Sequence, residues 1–420
     1  MARKKKEEKD KNNESPELTL TEKDKRLNQI IDSINGKYKK KVVGNLSDPD
    51  VKKMIEVEFI PTASPDFNIN TGGGFPKGKM SIISGKEDSG KTSFVLNTVG
   101  MNMKKNPKFT CAWLESEDSL VSMDYLEKTF GIDLNRFYVI PFLYSRGGEA
   151  ALDDLIAFIG TGAVDICVIN TLRALTPISE IQKSVEAQDV ALNARMNSRF
   201  ISKVIPLLSE TDTTLVCVQQ RSTKVGGYSA YGDNTTLSGG LRIRYHSMLT
   251  ARLNRLKMAT DDPISPEEGV KISVVIEKNH SIPSKFPYRK FTYYAVYGEG
   301  IETILSTLQL AVEQGIILRR GAHLYYYGDR NPENDEPIFH WTSKSDFRDS
   351  MKANPSFLED LSNMVQHKTE TLSEEEVAQI QAQEKEEEKA AGVDLDESSD
   401  PMTEQILDTE ITKEESEEIE

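Results

Sequence analysis

Between Gly78 and Gln220 two kinds of apolar pattern alternate along the chain. Near-continuous apolar runs, KMSIISG, FTCAWLE, FYVIPF, DICVIN and TLVCVQQ, are separated by helical spacing at Thr92–Met103, Ala150–Ile159 and Ala187–Leu208. Short unbroken runs read as strands buried on both faces, and the helices between them supply the crossovers that parallel strands need. The pattern predicts an α/β fold with a mostly parallel central sheet. After Gly240 the strands come one after another, SMLTARL, VKISVVIEK and KFTYYAVYG, which predicts antiparallel strands extending the same sheet.

The flanks differ. Leu27, Ile30, Ile31 and Ile34 within Thr21–Asn35 have the spacing of an amphipathic helix, stopped by Gly36 and followed by the basic run Lys37–Lys41. Downstream, a helix over Ile301–Gln314, a hairpin-like piece at Ala322–Tyr327 and a helix over Asn354–Val365 predict a small C-terminal α+β domain. The expected boundaries are a disordered basic arm over 1–20, a helix-and-strand segment over 21–60, the core over 61–299, the C-terminal domain over 300–368 and a disordered tail over 369–420.

Charge changes the picture more than composition does. The 420 residues carry a formal net charge of −15, which taken whole argues against a polyanionic partner. From Thr371 to Glu420, however, 19 acidic residues face 3 basic ones, a net of −16, so residues 1–370 carry +1. Such a block is a solvated tail or, more sharply, a competitor for a basic surface that binds an anion. No apolar stretch is long enough to span a membrane and the charged start carries no secretory pattern, so a cytoplasmic protein is expected. Cys111, Cys167 and Cys217 lie in strand-like runs and read as core residues; no Cys/His spacing suggests zinc.

Candidate chemistry begins after the first strand. GKEDSGKTS satisfies G-x-x-x-x-G-K-[ST] with Gly85, Lys86, Glu87, Asp88, Ser89, Gly90, Lys91, Thr92 and Ser93, between a strand and a helix. Glycines let backbone N–H groups approach phosphate, Lys91 reaches the β/γ-phosphates of a nucleotide, and the Thr92 hydroxyl can bind Mg²⁺. Hydrolysis needs a group that orients or deprotonates water, and Glu117, just beyond the end of FTCAWLE, is the candidate ahead of Glu115. A second acid is expected at the end of a neighbouring strand, but DICVIN ends in Asn170, a neutral metal ligand.

The segments IPTASPDFNINTGGGFPKGKMSIISGKEDSGKT, AVDICVINTLRALTPISEI, ALNARM, LVCVQQ, TTLSGG and YGEGI resemble, in that order, the bacterial and phage RecA recombinases over about residues 20–368. The lysine- and glutamate-rich extensions look like a phage-encoded, UvsX-like member. The resemblance implies a RecA-type P-loop ATPase core that polymerises with ATP and Mg²⁺ into a helical filament on single-stranded DNA. That filament pairs the strand with duplex DNA and exchanges strands, with single-strand binding and mediator proteins as possible partners. Glu117 becomes the catalytic carboxylate, Tyr125 the adenine-stacking aromatic and Gln220 the sensor of the γ-phosphate. DNA loops are implied at about Gln182–Asp189 and Arg221–Ser238, with Arg195, Arg221, Lys224, Tyr231, Gly239 and Gly240 near DNA and Arg242 and Arg244 adding charge. Lys278 matches a lysine that acts on a neighbour's nucleotide, while His280 stands where a second lysine is expected. The segment 21–60 resembles the part that docks on an adjacent protomer.

Three functions follow as alternatives: a DNA-dependent ATPase that catalyses recombination, a filament that coats single-stranded DNA with little hydrolysis, and a ring-forming regulator or helicase loader. The paired DNA loops and the C-terminal domain argue against the third.

Overall fold

The computed structural model describes residues 19–38, 41–120, 122–183, 190–223, 235–237, 241–259, 262–281 and 290–371. The disordered arm and tail expected from the sequence therefore lie outside the described residues, apart from their inner edges. Two compact units divide at Glu58. The first holds α1 (Leu20–Tyr38) and α2 (Pro49–Ile55). Glu22 caps the start of α1 by accepting from the Thr19 backbone N–H at 3.1 Å and its hydroxyl at 2.9 Å. Gly36 does not stop this helix as expected. A single glycine near a helix end costs only about 1 kcal/mol. What holds the chain beyond is the Asn35 side chain, which accepts from the N–H groups of Val42 and Val43 and donates to the Val43 carbonyl.

The second unit begins with β1 (Phe59–Ile60), α3 (Pro65–Thr71) and β2 (Phe75–Pro76), a strand pair closed over a short capped helix. The core alternation follows: β3 (Met80–Gly85), α4 (Lys91–Lys105), β4 (Cys111–Glu115), α5 (Met123–Tyr125), β5 (Phe137–Pro141), α6 (Gly147–Gly160), β6 (Ile166–Asn170), α7 (Ile178–Ile181), α8 (Val190–Thr211) and β7 (Thr214–Thr223). Then come β8 (Thr235–Leu237), α9 (Leu241–His246), β9 (Leu249–Leu256), β10 (Gly269–Asn279), β11 (Lys290–Val296) and β12 (Gly300–Glu302). The last stretch holds α10 (Thr303–Glu313), β13 (Ile317–Arg320), β14 (His323–Tyr326), β15 (Phe339–Trp341), α11 (Lys344–Ala353) and α12 (Pro355–Thr371).

The main sheet runs β12-β11-β10-β9-β3-β7-β6-β4-β5, with β8 folded back on β7. The strands from β3 through β5 are parallel, as the alternation predicts. SMLTARL is the exception among the later strands. It forms β9, which pairs parallel to β3, and antiparallel pairing begins only at β10. The reason is the long connection from β7, which passes through β8 and α9 before β9 begins at Leu249 and so can bring the chain in parallel beside β3; a tight turn would have reversed it.

One sheet face packs Phe94, Val99 and Trp113 with Phe67 and Phe75, and the other packs Leu155 of α6 and Phe200 and Leu208 of α8. Cys111, Cys167 and Cys217 are buried in these layers, and burial pushes the Cys217 thiol up to about 12, so they are inert packing residues. A third cluster, including Phe347, Trp341, Leu308 and Leu361, fills the space between α10, α11, α12 and the small sheet. The expected hairpin in this region is a three-stranded sheet, β13-β14-β15. Helix α11 carries a start signal that the hydrophobic pattern hides: Ser343 accepts from the Asp346 N–H at 3.0 Å while Asp346 accepts from Thr342.

Candidate active site

Register brings the candidate residues to one edge. Gly85 is level with Gln220 on β7, and Glu115 is level with Asn170 on β6, so the carboxyl ends of β3, β7, β6 and β4 open on the same crevice. In parallel sheets this is where ligands bind. The loop from Gly85 leads into α4 through Gly90, whose φ of +80° is one that a side chain resists. A Cβ on Gly85 would meet the Ser89 hydroxyl at 2.3 Å and the Leu253 carbonyl at 2.4 Å, so the tight cradle excludes any larger residue.

Lys91 is buried, with its ammonium donating to the Lys86 carbonyl at 2.6 Å and near the Ser89 hydroxyl at 3.4 Å. Burial lowers its pKa, opposed by the charges of Glu117, Asp88 and Glu87. Lys86, Glu87 and Asp88 are exposed at the loop tip, Ser89 is buried, and Ser93 is exposed on the first turn of α4.

The two carboxylates after β4 divide their roles by hydrogen bonding. Glu115 is buried and fully occupied: it accepts from the Trp113 indole and the Ser119 hydroxyl, both at 2.8 Å, and from the N–H groups of Glu117 and Ser119. It builds the turn. Glu117 is exposed, and its Oε1 accepts from the Gln220 amide at 2.9 Å and the Thr171 hydroxyl at 3.0 Å. A carboxylate held by two neutral donors at the crevice stays free to accept a proton or orient water.

The Thr92 hydroxyl faces the Asn170 carbonyl oxygen at 3.5 Å, and the Asn170 amide donates to the Ser119 hydroxyl at 2.8 Å. These are hard, neutral oxygen donors. They fit a Mg²⁺ ion that keeps several waters and takes its remaining ligands from nucleotide phosphates, as this ion prefers. Among the described residues no group of three or more His, Cys, Asp or Glu could hold a metal ion unaided.

Beside Gly90 and Ser93 a pocket of roughly 90 Å³ is lined by Tyr125 and Tyr297. Tyr125 is 46% exposed and meets Phe130 edge to face, and Tyr297 is 55% exposed. Two open aromatic rings next to a phosphate loop suit a planar base. Tyr297 went unnoticed in the sequence because its signal, the YGEGI piece, pointed to the family and to no role.

The residues expected near DNA fare differently. Arg195 is exposed on α8, along with Arg199 and Lys203 in a cleft against α6. Lys224, Tyr231, Gly239 and Gly240 lie outside the described residues, as does most of the first expected loop. Arg221 departs from its expected place in a loop. It belongs to β7, its side chain is 9% exposed, and it donates to Glu277 at 3.0 Å and to the Ser84 hydroxyl at 3.2 Å. Arg242 is exposed and donates to Ser198.

Lys278 is level with Thr250 and thus with Ile82, three residues or about 10 Å below Gly85 and two strands away. It cannot serve its own chain's phosphate loop. Its ammonium donates to the carbonyls of Arg244 and Tyr245 at 2.9 and 2.8 Å; burial, and next the Arg244 charge, lower its pKa.

A phosphate loop opening at the strand ends of a mostly parallel sheet defines a P-loop nucleotide-binding protein of the α/β class. The RecA N-terminal domain family matches residues 25–302, and the chain belongs to this family. Protein RecA of Synechococcus elongatus is 29% identical over 328 residues, covering 78% of this chain and 87% of the relative. Protein RecA of Prochlorococcus marinus (strain MIT 9303) is 28% identical, covering 77% and 81%. For Protein RecA of Trichormus variabilis the figures are 28%, 79% and 88%. Among the described residues no helix is long and apolar enough to cross a membrane.

Proposed function

We propose that this protein is a DNA-dependent ATPase that forms helical filaments on single-stranded DNA and catalyses pairing and strand exchange with duplex DNA. The observation that carries this is the Gln220–Glu117 hydrogen bond, because Gln220 lies on the strand that leads into the expected DNA segment. ATP would supply the phosphoanhydride, and Thr92 and Asn170 would hold a Mg²⁺ ion that neutralises phosphate charge. In this reading Lys91 and the loop N–H groups bind the phosphates, Tyr125 and Tyr297 hold the base, and Glu117 receives a proton from water. Gln220 competes for the same carboxylate oxygen, so a movement of β7 alters the base. Lys278 acts on the nucleotide of an adjacent protomer, which its place in the sheet supports. The basic arm and acidic tail support a phage-encoded member at work in the host cytoplasm, where single-strand binding and mediator proteins would load it.

The test is ATP hydrolysis with and without single-stranded DNA, and Lys91→Ala as the control. Stimulation by DNA that disappears in the variant is expected. A second reading, a filament coat with little turnover, is favoured by the neutral Asn170 at the metal position. DNA binding with turnover no higher than that of Lys91→Ala would select it.

A further inference from the structure

The antiparallel pairing of β10 with β9 is regular until Ile276, opposite Ala251, and resumes at Lys278, opposite Thr250. Glu277 is the extra residue of a β-bulge, a device that re-aims a side chain. Its carboxylate lies between two arginines from different strands. Arg221 of β7 donates to one oxygen at 3.0 Å, and Nε of Arg252 on β9 lies 3.1 Å from the other, an ion-pair contact rather than an aligned hydrogen bond. All three side chains are at most 20% exposed. Two guanidiniums and a carboxylate gathered in one poorly solvated cluster carry a desolvation cost that their attraction need not repay, so the cluster is weak evidence of a stabilising role alone.

The next residue is Lys278, tied to the final carbonyls of α9. Arg221 and α9 flank the stretch that the sequence assigns to DNA: β7 enters it and α9 leaves it. Glu277 and Lys278, adjacent on one bulge, therefore hold both ends of that stretch.

We infer that Glu277 is a positioning residue that couples DNA binding to Lys278, through Arg221 and the bulge. Because Arg221 lies near the end of the strand that leads into that stretch, engagement of DNA shifts β7 and draws the buried Arg221 guanidinium off Glu277, which loosens the bulge and frees Lys278 from the α9 carbonyls toward a neighbouring protomer. The inference rests on the proposed function, in which Lys278 works in trans.

The experiment uses the full-length chain, ATP with Mg²⁺ and a single-stranded oligonucleotide. Glu277→Gln keeps the shape and an acceptor but removes the charge. The ratio of DNA-stimulated to DNA-free kcat should fall about fivefold or more, with KM for ATP unchanged. Arg252→Met removes the other arginine, which leads to no DNA segment, and should keep the wild-type ratio; an equal loss in both variants means a structural role and overturns the inference. If Glu277→Gln fails to fold, Arg221→Gln cuts the same link from the other side and should give the same loss. Amide hydrogen exchange reads the link without turnover. DNA should alter exchange at residues 276–280 in the wild type and not in Glu277→Gln. Unchanged exchange there with DNA bound, or a Glu277→Gln ratio equal to wild type, overturns the coupling alone. A wild type that binds no DNA overturns the proposed function and the inference with it.

Discussion

Replacing Asn170 with Asp would give the proposed metal position a negative charge, yet the surroundings are built for the amide. Asn170 is fully buried, and its amide begins a chain: it donates to the Ser119 hydroxyl, which donates to Glu115, each leg 2.8 Å. An aspartate cannot donate to Ser119, whose own proton is committed to Glu115. One buried carboxylate oxygen then has no donor, at a cost of about 1–3 kcal/mol. The two legs also place the new carboxylate at most about 5.6 Å from that of Glu115, where like charges repel by about 3 kcal/mol at an effective dielectric of 20. Asn170→Asp should therefore lose about 4–6 kcal/mol of stability in chelator, and less if it takes up a proton to relieve the repulsion. Mg²⁺ with a non-hydrolysable ATP analogue should restore much of the loss, since a divalent cation offsets the repulsion. Thermal melting of wild type and variant, in chelator and in Mg²⁺ with the analogue, reads both effects. A variant as stable as wild type in chelator would refute the reasoning, because it would mean that the donor chain carries no weight.

Two further perturbations test other parts of the molecule. A Cβ at Gly100 would meet the Phe130 carbonyl at 1.8 Å, so Gly100→Ala should push α4 away from the turn below it and destabilise by about 2 kcal/mol or more, measured by denaturant titration. Asp262, with a side chain 7% exposed, is pushed up by burial but pulled further down by Lys271, Tyr294 and the Ala259 N–H, for a net lowered pKa. A lowered carboxylate pKa means that the unfolded state binds more protons. Its stabilisation is therefore complete above the ordinary value of 3.8 and is lost as pH falls through the lower folded value. Asp262→Asn should be less stable than wild type at pH 7 by about 1.5–3 kcal/mol, and the gap should narrow in acid; a gap that is constant with pH would count against the network.

Much of the site could be read directly from the chain because its signals are local. The phosphate loop needs glycines, a lysine and a threonine at fixed spacing next to a strand and a helix, and the alternation of apolar runs dictates parallel pairing whatever the side chains do later. Gly85, Lys91, Thr92 and Glu117 lie at or just beyond the carboxyl ends of β3 and β4, two strands that β7 and β6 separate in the sheet but that open on the same edge. Pairwise facts between distant residues are different. That Glu115 is spent on a turn while Glu117 stays open depends on Trp113 and Ser119; that Arg221 faces Glu277 depends on a bulge in a strand 56 residues further on. Tyr297 joins Tyr125 only because β11 and β12 bring the turn between them beside α4. The direction of β9 also depends on where α9 releases the chain, and the residues of β9 itself would suit either direction. Local backbone chemistry is written in spacing, whereas the partner of a side chain is chosen by register and packing, which exist only once the sheet has formed.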